Sequence, residues 1–152
     1  MKRTSLWAIG IGIAASITGG QAYAGEKEKG CSLATLNGQY PFGGSITLFP
    51  PAFGVTAPST GTSAGYHIFN GDGTGTDFVT FSLNGIDLHV ASPIATTYTL
   101  NSDCTGTYSV QNGPNFDIFV AVDGSQLAST ETDPGAAAAG VSLRVGFKGN
   151  SQ

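Results

Sequence analysis

Positive charge is nearly missing from this chain. From Cys31 onward the only basic side chains are Arg144 and Lys148, and the remaining ones are Lys2, Arg3, Lys27 and Lys29. Such a surface has almost nothing with which to neutralise phosphates, which argues against nucleic acid or an anionic membrane as a partner. Long apolar runs are missing too. The one uncharged apolar stretch, from Leu6 to Ile17, is about 12 residues, well short of the roughly 20 that span a bilayer.

Catalytic and metal motifs are equally scarce. His67 and His89 are the only histidines available to activate a serine. Two isolated histidines are too few for a zinc site, which wants three or four ligands at readable spacing. The segment Gly71 to Asp77, GDGTGTD, fails the spacing of a calcium loop because Thr74 and Thr76 stand where carboxylate or amide oxygens are needed, and it reads as a hairpin. No catalytic residue, metal or cofactor is therefore expected.

What is present begins with an export signal. A basic start (Lys2, Arg3), the short apolar run and a polar segment ending Ala22-Tyr23-Ala24 have the form of a secretory signal peptide over residues 1–24. Its removal leaves four basic against ten acidic residues, a net of −6. Residues 25–30 read as a flexible charged leader and 31–149 as a single domain, long enough to bury its own core. The expected location is secreted or periplasmic. In such an oxidising compartment Cys31 and Cys104, the only cysteines, pair by default. A reactive thiol pair is disfavoured, because there is no C-x-x-C spacing.

The rest of the chain alternates with period two. Tyr40/Phe42/Ile46/Leu48, Val79/Phe81/Leu83, Ile86/Leu88/Val90, Ile94/Thr96/Tyr98/Leu100, Cys104/Gly106/Tyr108/Val110 and Phe116/Ile118/Val120/Val122 each mark one face of a strand. Further strands are expected over 64–69, 126–132 and 141–147, the last with Val141, Leu143, Val145 and Phe147 on one face. The Ala136 to Ala139 run fits either a single helical turn or a tightly packed strand. Turn formers separate these segments at intervals of roughly ten residues, which points to an all-β antiparallel fold. An up-and-down barrel of about eight strands is favoured over a β-sandwich, because most connections are hairpins and a Greek key needs longer crossings. No helix longer than about two turns is expected after Ala24.

The order of short motifs carries a resemblance. Cys31 to Tyr40 (CSLATLNGQY), Asp72 to Gly75 (DGTG), Asp103 to Thr107 (DCTGT), Val122 to Gly124 (VDG) and Thr132 to Gly135 (TDPG) together resemble a broad family of small exported bacterial proteins of uncharacterised role. The resemblance implies a calycin-like or allene-oxide-cyclase-like β-barrel. It brings no catalytic motif, and a shared fold does not carry function.

The functional expectation is accordingly a secreted barrel that binds a small apolar ligand, with a barrel-type isomerase or cyclase as the alternative and a structural or adhesive surface module as a third reading. Pro50 to Gly61 is the one long connection, and its prolines make it a stiff, apolar candidate lid. Phe53 and Val55 are expected to fold over a lumen lined in part by Tyr66 and Phe81. The polar groups that alternation allows inside are Tyr66, His67, Asp77, Asp87, His89 and Glu131. Tyr98, Tyr108, Phe116, Phe119, Phe78 and Phe81 read as core rather than as ligand contacts.

Overall fold

The computed structural model describes residues 30–89 and 93–146. The expected signal peptide, the leader apart from Gly30, and Val90, Phe147 and Lys148 lie outside the described residues. Among the described residues nine strands follow in chain order: β1 (Asn37–Leu48), β2 (Ser59–Asn70), β3 (Thr74–Leu83), β4 (Ile86–His89), β5 (Ile94–Leu100), β6 (Thr105–Val110), β7 (Asn115–Val120), β8 (Gln126–Glu131) and β9 (Ala136–Leu143). All pairings are antiparallel. The order β2-β1-β9-β8-β7-β6-β5-β3 closes on itself through β2–β3, giving an eight-stranded barrel, and β4 is an extra strand on β3. That closure rules out the sandwich. The described helix is limited to the 3-10 turns Leu33–Thr35 and Ala52–Gly54. Among the described residues no helix is long and apolar enough to cross a membrane.

β3 is shared between neighbours. Its first half, Thr74 to Asp77, pairs with β5, while its second half, Thr80 to Leu83, pairs with β4. Where β2 crosses β3 the strands approach so closely that a Cβ on Gly65 would stand 1.9 Å from the Phe78 carbonyl oxygen. Only glycine fits there.

The two ends of the barrel differ. At one end three hairpins, β2–β3, β5–β6 and β7–β8, repeat one turn device. Asp72, Asp103 and Asp123 accept a hydrogen bond from the backbone N–H two residues on, at 2.9, 3.0 and 2.9 Å. The Leu33–Thr35 turn plugs this end, pinned by the Tyr98 hydroxyl, which donates to the Leu33 and Leu36 carbonyls at 2.9 and 3.0 Å. The Cys31–Cys104 disulfide ties the plug to the β5–β6 turn. Behind it Leu36, Tyr40, Phe69, Tyr98, Tyr108, Ile118, Val120 and Leu127 form the buried core. Phe69 makes edge-on contacts with Tyr40, Tyr98 and Tyr108. The Tyr40 hydroxyl crosses the barrel to donate to the Gly124 carbonyl at 2.6 Å, fully buried. Tyr40→Phe orphans that carbonyl and is expected to lower stability by about 1–2 kcal/mol in urea unfolding.

Two strands begin earlier than the alternation suggests. β2 starts at Ser59 instead of Ala64, inside the expected loop, and pairs along all of β1. β9 spans Ala136–Leu143, so the alanine run is strand and not a helical turn. Val141 and Leu143 do share a face, but it is the outer one, and both are exposed while Ser142 is buried. The inward residues of both strands are small (Ser59, Gly61, Ser63 and Gly65 on β2; Ala138, Gly140 and Ser142 on β9), so an apolar pattern never marked their inner face.

Candidate functional site

Toward the end opposite the plug the core gives way to a cavity of about 500 Å3. Its mouth is formed by the β1–β2 connection, which contributes Phe53 and Val55, by the β6–β7 turn and by Leu83 and Ile94. The size lies within the range of small-molecule sites, and most of its wall is apolar. Small inward residues on β1, β2 and β9 (Gly44, Ser63, Ala138, Gly140) leave the space that larger side chains would have filled.

Of the residues expected to line a lumen, Phe53, Val55 and Phe81 do so. Phe53 is 52 % exposed at the rim, so its ring is not part of the packed core. Tyr66 is placed elsewhere. It precedes His67, which faces the lumen, so the pleat turns it to the outer surface, where its ring stacks on Phe78 at 4.9 Å. Phe119 is likewise exposed on the outside. Asp87 is exposed on β4, away from the cavity, and the His89 side chain lies outside the described residues.

The ionisable groups that face the cavity are His67, Asp77, Tyr108 and Glu131. Cross-strand register brings the first two together, because His67 on β2 pairs directly with Asp77 on β3. Their Nδ1 and Oδ1 atoms lie 2.8 Å apart. Tyr108 reaches the same pair from β6: its hydroxyl donates to the second Asp77 oxygen and its oxygen lies 3.1 Å from His67 Nδ1. Burial, followed by the neighbouring Asp77 charge, pushes the Tyr108 phenol well above its ordinary value, so it stays a proton donor. The His67 ring is clamped by Phe42, stacked at 4.3 Å with an interplanar angle of 11°.

Glu131 has no such partners. It ends β8 beside Phe116 of β7, it is 8 % exposed, and neither carboxyl oxygen has a hydrogen-bond partner. Burial, aided by the Asp133 charge, raises its pKa from 4.5 to about 7. A carboxyl of this kind exchanges its proton near neutrality. Sequence alternation offered Glu131, His67 and Asp77 as inward candidates, whereas Tyr108 read as core and is both core and cavity floor. Among the described residues no group of three or more His, Cys, Asp or Glu is disposed to hold a metal ion. The sequence matches no protein-family model and no curated protein.

Proposed function

We propose that this protein is a small exported, calycin-like barrel that binds a small apolar ligand, secreted or held in the periplasm. The observation that carries the reading is the cavity, about 500 Å3 of largely apolar space with an aromatic rim at one end of a barrel sealed at the other. The Cys31–Cys104 disulfide is compatible with an oxidising compartment. The structural or adhesive reading goes with a sandwich and its filled core, and a closed barrel with a cavity lends it no support.

Native mass spectrometry of the protein exported by its own host tests the proposal, which expects a co-purifying small molecule that leaves on denaturation. Phe53→Ala supplies a second check. Since Phe53 sits at the rim and outside the core cluster, its truncation is expected to speed ligand loss several-fold while leaving the thermal midpoint of ligand-free protein nearly unchanged. A large fall in that midpoint would make Phe53 a core residue and remove the lid.

One observation favours the isomerase or cyclase alternative: four ionisable side chains face the same cavity, one of them a carboxyl that titrates near neutrality. Such a group is suited to general acid–base work on a reactive apolar substrate. Turnover of the co-purifying molecule, tested with wild type and Glu131→Gln, separates an enzyme from a carrier.

A further inference from the structure

The cavity is asymmetric in charge. Among the described residues its wall holds two carboxyls, Asp77 and Glu131, and no lysine or arginine. Asp77 is satisfied on both oxygens by His67 and Tyr108, so it is a fixed part of the floor. Glu131 is buried, aimed into the same space, and unpartnered on both oxygens. No titratable side chain stands beside it on the flanking strands, where the register gives Phe116 on β7 and Ala139 next to Thr130 on β9. The titratable groups that share its cavity are Asp77, His67 and Tyr108. Asp133, two residues on, is engaged by the Asn115 backbone and side-chain nitrogens at 2.6 and 2.9 Å.

A buried carboxyl left without a partner is costly unless something arrives to meet it. We infer that the ligand of this barrel is an apolar amine whose ammonium group seats against Glu131. The inference rests on the ligand-binding reading and names the chemistry of its head group. An ammonium brings N–H donors and no acceptor, and the cavity offers it two unpartnered acceptors, the Glu131 oxygens. Its charge also compensates an ionised Glu131 in surroundings that otherwise disfavour ionisation. A ligand carboxylate meets the reverse situation, like charge on Asp77 and on ionised Glu131 with no lysine or arginine among the described lining residues to offset it, so fatty acids are disfavoured. A neutral alcohol meets neither the attraction nor the repulsion and falls between.

Displacement of Nile red, a neutral apolar dye, by octylamine, octanol and octanoate tests this on the disulfide-bonded protein without its signal. These competitors share one tail and differ in head group. At pH 8 octylamine is expected to displace the dye at concentrations at least about tenfold lower than octanol, with octanoate the weakest. Because ionised Glu131 rises from about a tenth to about nine tenths of the population between pH 6 and pH 8, octylamine affinity gains about tenfold over that range while octanol affinity stays flat. Glu131→Gln is expected to abolish both the amine preference and its pH dependence. Retained octanol binding by that variant shows that its cavity is intact. If the dye enters and octylamine is no better than octanol, or the preference survives in Glu131→Gln, the amine inference is overturned and the apolar-ligand reading stands. If wild-type protein takes up no dye, the ligand-binding reading itself fails and the inference falls with it.

Discussion

Replacing Cys31 and Cys104 together by serine is expected to cost the barrel about 4 kcal/mol of unfolding free energy, read from urea unfolding at neutral pH. The disulfide spans a sequence separation of 73 residues, and closing a loop of that length removes about this much chain entropy from the unfolded state. It also fixes the plug. Cys31 is buried, its backbone N–H donates to the Ser102 carbonyl at 3.1 Å, and the Leu33–Thr35 turn that follows covers the core. The cavity lies toward the other end, so the double variant, at a temperature where it remains folded, should take up Nile red as wild type does. A loss below about 1 kcal/mol would mean that Tyr98, Tyr40 and Leu36 hold the plug without the crosslink. Loss of dye uptake by folded protein would show instead that the two ends of the barrel are coupled.

The division between plug and cavity also explains what could be seen in the sequence. β3, β5, β6 and β7 were legible because large residues line their inner faces: Val79, Phe81 and Leu83, then Tyr98, Tyr108 and Ile118, all at period two. β9 and the first half of β2 were not, because the inner face there is glycine, alanine and serine, and on β9 the apolar residues point outward. The same small residues leave the wall recessed and the cavity open. The void was thus hidden by the composition that creates it. The site was half legible for a related reason. Alternation places His67, Asp77 and Glu131 inside once a face is chosen, but only the pairing of His67 with Asp77 across β2 and β3, and the reach of Tyr108 from β6, join three of them into one hydrogen-bonded group. Register of this kind depends on which strands become neighbours when the barrel closes, and local pattern carries no such information.

Glu131 is also expected to dominate the difference in pH dependence between the wild-type fold and its amide variant. Its carboxyl titrates at about 7 when folded, chiefly because burial disfavours the charge, against an ordinary value of 4.5. Between those two values the folded protein keeps a proton that the unfolded chain has released, so stability falls as pH rises through this window and levels off above about 8. The full excursion corresponds to about 3 kcal/mol. Glu131→Gln removes the titration and keeps the shape. The variant should therefore match wild type within about 0.5 kcal/mol near pH 4.5, where both side chains are neutral in the folded state, and exceed it by about 3 kcal/mol at pH 8. Urea unfolding of both proteins across pH 4.5 to 8.5 measures this directly, and comparing them cancels contributions from other groups that titrate in the same range. If the two curves run parallel, Glu131 is solvated or already paired in the folded state, and the unpartnered carboxyl on which the amine site depends does not exist. A gap that opens with pH and then closes when octylamine is added to wild type would show that the ammonium stabilises the ionised carboxyl, since a ligand bound only by the folded state raises its stability by RT ln(1 + L/Kd), where L is the free ligand concentration.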